Sequence, residues 1–430
     1  MYPVIVTTLV LVFVIAAIVT HKIPTIAIGL MIPLILAVTG VIDASTAFNG
    51  LGSTTIFLII GAEVIGDACF RTGLTDWIGR RVIRYTRKFT NESVKLLLIS
   101  LLAAILSTFL SSAGVQVALL SLIIVMAKTL RLSKTRSLIA LGYSATIGGM
   151  WSIIGTTLMV MSKSAIEAAV PGETFGMFEM TKASFPIGMV CILLFCFVTS
   201  RYQPDRCGSQ EEPAPAPAEE VSTSTTGSRR DCMIVGITFL AFVVLVALDG
   251  NTPIPANMVT VLVLLVFGAF KISTVSDIVR CISWDVILFI VGITVLSNAM
   301  VSSGLSDLVG SMLLGVVGDS TNPYLIVGSI SLVCLVLTQL MSNSGAFSVV
   351  LPFLTVLSDS LGVDLKPLIV TAAISCTCGF CLPLATPTYM MLANEGNVRL
   401  TDWLKQGLPL AVVAFVMVTL LVPTFWPLYG

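Results

Sequence analysis

A short polar, glycine-bearing pattern occurs twice in this 430-residue chain, each time inside a long apolar segment. Ser111-Ser112-Ala113-Gly114 is followed 231 residues later by Ser342-Asn343-Ser344-Gly345. The same offset of 231 relates Pro24 to Pro255, Gly61 to Gly292, and Gly73-Leu74-Thr75-Asp76 to Gly304-Leu305-Ser306-Asp307. A repeat maintained over this distance indicates two equivalent halves, each with one apolar segment that is broken near its middle.

Composition favours a membrane environment. Hydrophobic residues make up 56% of the chain and charged residues 11%, whereas an ordinary soluble domain contains about 25% charged residues. The composition therefore predicts a polytopic protein in a lipid bilayer. A net charge of zero gives no indication of a nucleic-acid partner.

The sequence offers little for enzymatic chemistry. The single histidine, His21, argues against a Ser-His or Cys-His nucleophile pair and against histidine metal sites. Cys376, Cys378 and Cys381 are spaced in a way that could suit a soft metal, but no second Cys or His cluster completes four ligands. We expect no enzyme and no organic cofactor.

Apolar runs predict an all-α protein with five membrane spans in each half. The first half gives spans at about 4–20, 25–42, 54–70, 138–164 and 184–200, and the second at about 233–249, 256–271, 286–301, 368–393 and 408–425. Longer apolar stretches at about 95–130 and 323–357 carry the polar motifs. Two short helical arms around a polar tip would form a re-entrant hairpin, which is tolerated only where protein or a cavity covers it.

The distribution of charge predicts how the chain is oriented. An odd number of spans per half means that the second half crosses the membrane in the opposite direction to the first. With the N-terminus outside, all but three of the 23 lysines and arginines fall in inner loops, the exceptions being Lys163, Lys182 and Lys366. The positive-inside rule thus favours an inverted-topology repeat with both termini outside.

Two segments outside the spans have a composition of their own. Residues 74–90 predict a basic amphipathic helix on the inner surface, with Trp77 and Tyr85 at the headgroup level; a plain solvated arm is the alternative. Arginines 80, 81, 84 and 87 would face phosphates. Residues 203–231 are rich in proline, glutamate, serine and threonine, and predict a disordered cytoplasmic linker between the halves.

Each half also breaks its fourth span. Gly148-Gly149 and Gly155-Thr156-Thr157 interrupt the first, and Pro383 with Ala385-Thr386-Pro387 interrupts the second. Two hairpin tips and two unwound helices would then meet near the midplane, where exposed N–H groups suit an anion and freed carbonyls suit a small cation.

Charged side chains are scarce around these breaks. No lysine or arginine lies near the motifs, so helix termini, hydroxyls, Asn343 and a co-bound cation would have to neutralise an anion. Asp285 begins a span and Glu395 ends one, and both are interpreted as interface positions.

These motifs resemble the divalent anion/sodium symporter family, which carries dicarboxylates, citrate or sulfate and belongs to a wider ion transporter superfamily. Ser342-Asn343-Ser344 nearly matches the family's second Ser-Asn-Thr triplet, and Thr386-Pro387 matches its second Thr-Pro element. The first triplet departs from the pattern as Ser111-Ser112-Ala113, and the first Thr-Pro is replaced by Thr156-Thr157.

The resemblance implies a homodimeric elevator-type transporter, with a scaffold formed by residues 1–92 and 232–320. The transport parts would be 93–202 and 321–430, on either side of the linker at 203–231. One sodium site would use Ser107, Ser111, Ser112 and Gly155, and the other Thr338, Met341, Asn343 and Ala385, several of them through backbone carbonyls. Substrate contacts would come from Ser112, Ala113, Thr156, Ser342, Asn343, Ser344, Thr386 and Pro387.

The expected function is secondary active transport of a small anion, either a di- or tricarboxylate or sulfate, coupled to sodium in a bacterial cytoplasmic membrane. Within transport, the alternatives are an anion exchanger or an arsenite- or proton-linked antiporter of the same superfamily. A membrane-embedded enzyme or a passive channel is a third class. The sequence shows no nucleophile–base or metal constellation that would favour the enzyme.

Overall fold

The structure is a computed structural model that describes residues 2–20, 23–45, 47–86, 88–169, 175–202, 228–247, 256–305, 322–383 and 385–429. Within these ranges the chain is helical and contains no β-strand. The predicted linker lies outside the described residues up to residue 227. Its last residues are part of a helix that begins at Arg229, so the second half starts slightly earlier than predicted.

The described residues of the first half form nine α-helices. They are α1 (Tyr2–Thr20), α2 (Thr25–Val38), α3 (Thr54–Arg71), α4 (Leu74–Thr86), α5 (Glu92–Phe109), α6 (Ser112–Leu130), α7 (Lys134–Gly149), α8 (Thr157–Ala169) and α9 (Thr181–Phe197). Short 3-10 turns at Asn49–Gly52 and Thr199–Tyr202 complete this half.

The described part of the second half follows the same order. It contains α10 (Arg229–Ala247), α11 (Ala256–Ala269), α12 (Val275–Cys281), α13 (Trp284–Ser303), α14 (Pro323–Leu340), α15 (Asn343–Leu361), α16 (Leu365–Thr377), α17 (Pro387–Glu395) and α18 (Leu400–Phe425). The predicted spans at 138–164 and 368–393 are each two helices, because the chain unwinds between α7 and α8 and between α16 and α17.

Helix length and hydropathy make this an integral membrane protein. In the described ranges seven helices are long and apolar enough to cross a bilayer, or eight if the bent pair Val275–Cys281 and Trp284–Met300 forms one span. The arms of the hairpins are among them, since α5 and α14 have 18 residues and α6 and α15 have 19. The arms are therefore longer than the short segments predicted from sequence.

The first hairpin closes at its open end. Lys95 Nζ, at the start of α5, donates a hydrogen bond of 3.1 Å to the carbonyl of Leu130 at the end of α6. The tip, Leu110 and Ser111, lies at the opposite end of both arms. Because α5 and α6 both pack against α7, the tip meets the chain where α7 ends at Gly149.

Left-handed backbone positions recur at the offset that relates the two halves of the sequence. Three pairs of residues with positive φ share the offset of 231: Gly40 (71°) with Lys271 (58°), Gly73 (74°) with Gly304 (78°), and Arg131 (54°) with Gly362 (62°). Such conformations are uncommon for any residue that carries a Cβ. Their recurrence shows that the chain turns in the same way at equivalent points of both halves.

Helices of each half pack against a helix of the other half. In one trio α1 and α2 pack against α13, and in the other α10 and α11 pack against α3. A Cβ on Gly29 would lie 2.5 Å from the Leu288 carbonyl oxygen, so α2 and α13 cross in backbone contact. At the reciprocal crossing Thr260 donates to the Phe57 carbonyl at 2.8 Å. The repeated glycines Gly61 and Gly292 belong to these two crossings, which require small residues.

A second group of helices packs beside the trios and contacts them through α13 and α3. It comprises the hairpins with α7, α8, α9, α16, α17 and α18, and it also exchanges partners, since α8 packs against α16 and α17 against α7. Polar contacts stabilise the packing of both these helix pairs. Thr135 at the start of α7 donates to the Gly396 carbonyl at 2.9 Å. Lys366 at the start of α16 pairs with Glu179 at 2.7 Å.

The Lys366–Glu179 pair gives a pH-dependent contribution to stability. Burial alone would raise the pKa of Glu179, but the hydrogen bond and charge of Lys366, with the Gly176 amide and the Trp426 indole, lower it below the usual value of 4.5. A carboxyl group whose pKa is lower in the folded state stabilises that state above its unfolded pKa. The contribution is lost as pH falls through the lowered value.

We therefore expect Lys366→Met to lower the free energy of unfolding at pH 7 by about 1–2 kcal/mol. The difference from the parent should shrink below pH 4.5, the usual carboxyl value. Thermal unfolding in detergent across this pH range measures both. Lys182→Met is the control, because its exposed ammonium lies over the Trp426 ring at 6.0 Å. An equal acid response in both variants would contradict the assignment.

Candidate functional site

The first hairpin tip forms a circuit of four oxygen atoms with the broken span. Ser107 Oγ lies 2.9 Å from Ser112 Oγ and 2.5 Å from the carbonyl oxygen of Ala145. Ser112 Oγ in turn lies 2.9 Å from the carbonyl oxygen of Gly155. Both hydroxyl-bearing residues are buried, with Ser107 fully inaccessible and Ser112 8% exposed.

The second tip builds the same circuit from equivalent positions. Thr338 Oγ1 lies 2.7 Å from Asn343 Oδ1 and 2.6 Å from the carbonyl oxygen of Cys376. The backbone N–H of Asn343 donates to the Ala385 carbonyl at 3.2 Å, as the backbone N–H of Ser112 donates to the Gly155 carbonyl at 3.0 Å. An amide oxygen in the second half thus takes the place of a serine hydroxyl in the first.

Close approach of the backbone holds each circuit together. Gly149 ends α7, and a Cβ there would overlap Ser112 Oγ. Its counterpart Gly379 follows α16, where a Cβ would lie 2.9 Å from Asn343 Oδ1 and 3.2 Å from Thr338 Oγ1. These are distances that real Cβ atoms rarely or never show, so both positions accept only glycine without displacing the tip.

The donor set of each circuit fits a small hard cation. All the converging atoms are oxygens, either hydroxyl, amide or backbone carbonyl, and these are the ligands that such ions prefer in proteins. Carbonyls freed where a membrane helix unwinds serve the same purpose. Within the described residues no group of three His, Cys, Asp or Glu could hold a metal ion, so the soft-metal interpretation of Cys376, Cys378 and Cys381 gains no support.

Six of the residues predicted for sodium are brought together as two sets: Ser107, Ser112 and Gly155, and Thr338, Asn343 and Ala385. Ser111 is exposed and only precedes α6, while Met341 is buried between α14 and α15; neither side chain enters a circuit. The carbonyls of Ala145 and Cys376 were missed. Their offset of 231 and their position in the last turn before a break could have identified them.

A cavity of about 200 Å³ lies next to the second tip. Thr157, Ser342, Ser344 and Gly345 line one side of it. The other side is formed by residues of the α1–α2–α13 trio and the turn between α1 and α2, namely Ala17, Ile23, Ile28, Asp285, Val286 and Phe289. The cavity therefore lies between the tip of one helix group and the wall of the other.

The predicted substrate residues are divided among three places. Ser342 and Ser344 line the cavity, whereas Ser112 and Asn343 belong to the circuits. Thr156 and Thr386 lie at the starts of α8 and α17, the latter directly before Pro387. Ala113 is exposed at the first tip and is not among the residues around the cavity. Thr157 lines the cavity although only Thr156 was predicted.

The electrostatics of the cavity come from helix ends. Thr157 is the first residue of α8, and Ser344 and Gly345 lie in the first turn of α15, so two helix N-termini face one space. Helix N-termini carry partial positive charge, which favours an anion. In α15 the Gly345 N–H already donates to the Ser342 hydroxyl at 3.2 Å, so this terminus acts mainly through its charge. Asp285 is the charged residue of the lining, and it is exposed in the first turn of α13.

The two glycines behind the tips can be tested by substitution. Gly149→Ala and Gly379→Ala should each lower the free energy of unfolding by about 1–3 kcal/mol, because a methyl group overpacks a closed site. Gly268→Ala is the matched control, since no atom lies within 4 Å of its Cβ position in α11. Thermal unfolding of the three variants provides the comparison. If all three behave alike, the tips are not closed against these glycines.

Comparison with known proteins adds to this geometry. A family model described as "Citrate transporter" matches residues 15–256 and 243–428, which together span most of the chain. The sodium-dependent dicarboxylate transporter SdcS of Staphylococcus saprophyticus is 24% identical over 94% of this chain and 82% of its own length. Solute carrier family 13 member 1 of Mus musculus is 23% identical over 66% of this chain and 55% of its own length.

Two solved structures have a similar fold. The chain superposes on MtrF of Neisseria gonorrhoeae, described among antimetabolite efflux pumps, with a TM-score of 0.62, 13% identity, and coverage of 100% of this chain and 96% of MtrF. The YdaH transporter of Alcanivorax borkumensis gives a TM-score of 0.62 at 11% identity, with both chains covered completely. At these identities the likeness concerns the fold alone.

Proposed function

The chain belongs to the citrate transporter family, and we propose that it moves a small di- or tricarboxylate, or sulfate, across the membrane together with sodium. Membership of this family makes the chain a transporter and not an enzyme. The observation that carries the proposed substrate class is the cavity, where two helix N-termini and three hydroxyl-bearing residues face one space of about 200 Å³. Such a site binds carboxylate or sulfate oxygens through N–H and O–H donors.

Sodium is supported by the two oxygen circuits directly behind the tips. When bound, the ion would supply positive charge beside an anion that no lysine or arginine of the cavity lining neutralises. Ser107 and Ser112 with the Ala145 and Gly155 carbonyls would hold one ion, and Thr338 and Asn343 with the Cys376 and Ala385 carbonyls the other. The named sodium dependence of SdcS agrees with this assignment.

We also infer an inverted repeat that works as an elevator. Helices exchanged reciprocally between halves are what a twofold relation gives, and a cavity lined by both helix groups suits sliding of one group against the other. The scaffold would be residues 1–92 and 232–320, and the transport part 93–202 and 321–430. The homodimer expected from the resemblance belongs to this proposal, and chemical cross-linking in the membrane tests it.

The proposed topology has both termini outside. Its three predicted outer lysines do lie on one face: Lys163 donates to the Phe175 carbonyl at 2.9 Å, and Lys366 lies over the Phe175 ring at 5.3 Å. Lys182 lies over Trp426, whose indole is 3.5 Å from Glu179, the partner of Lys366. Cysteine labelling of the 203–231 linker with an impermeant reagent in intact bacteria tests the orientation, and labelling from outside would contradict it.

Sodium binding can be tested without knowing the substrate. Thr338→Val should require about tenfold more sodium to reach the same rise in unfolding temperature. It removes one ligand and leaves the Cys376 carbonyl without its hydrogen-bond donor. Thr371→Val is the control, since that hydroxyl bonds only the Pro367 carbonyl of its own helix, at 2.7 Å. Choline replaces sodium as the reference cation. Equal sodium responses in both variants would remove Thr338 from the site.

Asp285 should influence which charge state of the substrate binds. Asp285→Asn removes a negative charge from the cavity wall, so the affinity for a doubly charged anion should rise roughly tenfold and that for a singly charged one less. Asp364→Asn is the control, because Asp364 also starts a helix but caps α16 away from the cavity. Calorimetry with succinate at neutral and acid pH, and with sulfate, provides the measurement. If the affinities for both anions are unchanged, the charge of Asp285 does not act on the bound substrate.

A proton-linked mechanism is the second candidate. Its support is a pair of carboxylates near the cavity, since Asp285 lies in the lining and Glu63 of α3 accepts a hydrogen bond of 2.9 Å from the Ser283 amide. Uptake into proteoliposomes separates the candidates. A sodium gradient at constant pH should drive uptake if sodium is the coupling ion, whereas a pH gradient with choline alone should drive it if protons are.

A further inference from the structure

The exposed face of α4 combines aromatic and basic side chains. Trp77 and Tyr85 are 59% and 58% exposed, although both are large apolar rings. Arg81 and Arg84 are exposed on the same helix, and Lys88 follows its end. The spacing of 77, 81, 84 and 85 places these four residues on one face of the helix, and Lys88 joins them through its contact with the Tyr85 ring.

Two of these cations lie over aromatic rings. The Arg81 guanidinium lies 5.8 Å from the centre of the Trp77 ring, and Lys88 Nζ lies 5.3 Å from that of Tyr85. Across the described residues no ion pair engages Arg81, Arg84 or Lys88. A third pair of this kind is nearby, since Arg230 at the start of α10 lies 5.9 Å from the Phe270 ring.

The opposite face of α4 packs on the hairpin that carries the first circuit. Thr75 and Thr86 are buried there, and a Cβ on Gly79 would overlap the side chain of Leu122 in α6. Helix α6 begins at Ser112, which is part of the circuit. Helix α4 also joins α3 to α5, so it connects one helix group to the other.

We propose that this face of α4, defined by Trp77, Arg81, Arg84, Tyr85 and Lys88, binds the headgroups of anionic phospholipids. Tryptophan and tyrosine prefer the headgroup level of a bilayer because one part of each ring system is apolar and another is wet. Guanidinium groups bind phosphate oxygens through two parallel hydrogen bonds. Basic side chains that pair with no carboxylate of the described residues can take their counter-charge from the lipid surface.

Binding on this face has a consequence for the hairpin. A headgroup held by Arg81 and Arg84 fixes α4 at the depth of the lipid phosphates, and the close contact of Gly79 with Leu122 transmits that position to α6. The composition of the membrane therefore sets how firmly the first tip is placed. Anionic lipid should speed the sodium-driven uptake proposed above, while lipid binding itself does not depend on any substrate.

Lipid retention by the full chain tests the proposal. The protein is extracted from vesicles of phosphatidylcholine mixed equally with phosphatidylglycerol, and retained lipids are counted by native mass spectrometry. The parent should retain phosphatidylglycerol preferentially, and the triple variant Arg81→Gln, Arg84→Gln, Lys88→Gln should reduce this preference by about tenfold. The matched control, Lys128→Gln, Arg131→Gln, Arg201→Gln, removes three exposed basic residues without an aromatic partner among the reported ring contacts.

Two results would overturn the assignment. If the parent retains both lipids equally, α4 is a solvated arm. If the control loses the preference as fully as the triple variant, the attraction is diffuse and does not belong to α4. Both readings use only phosphatidylglycerol and phosphatidylcholine, so a failure to find the transported anion leaves this test intact. Fluorescence of Trp77, compared with Trp77→Phe in vesicles of brominated phosphatidylglycerol, checks that each variant remains folded at the interface.

Discussion

Backbone groups released inside a membrane must find partners, and the rest of this structure depends on how they do so. The chain leaves helical conformation at two tips and two unwound segments, where water cannot satisfy the freed carbonyls and amides. Ser112 and Asn343 solve the problem in the same way, each donating its backbone N–H across to the opposing break. The oxygens left over face one another, and this is why a structural necessity also creates two sites suited to a small cation.

The repeat makes the two sites alike, but the substitutions within it make them unequal. Ser107 and Ser112 in the first half correspond to Thr338 and Asn343 in the second, so the second circuit has an amide oxygen on a longer side chain. The cavity also lies against the second tip, between α15 and the α1–α2–α13 trio. The space proposed for the substrate therefore lies on the side of the second tip.

Much of this architecture could be predicted from sequence. Hydropathy indicates where the helices lie, and glycines at equivalent positions, such as Gly73 and Gly304, indicate the repeat. The hairpin arms were underestimated, since a polar tip reveals where a hairpin turns but not how far its arms extend. The Ala145 and Cys376 carbonyls could not be read from residue type, because every residue carries the same carbonyl. The place of Asp285 in the cavity lining could not be predicted for a different reason: the other lining residues come from α1, α2, α8 and α15, and only the packing brings them together.

The scarcity of charge around the site bears on how coupling could arise. A lysine or arginine fixed beside the cavity would hold an anion without any cation, and it would also leave an uncompensated charge in the site when empty. Here the N-termini of α8 and α15 contribute only partial charges, so the empty site is close to neutral apart from Asp285 at the wall. An anion bound alone would add negative charge to a lining that already carries Asp285. A co-bound cation offsets that charge, so the electrostatics of this lining favour binding of the anion together with a cation, as the proposed sodium coupling requires.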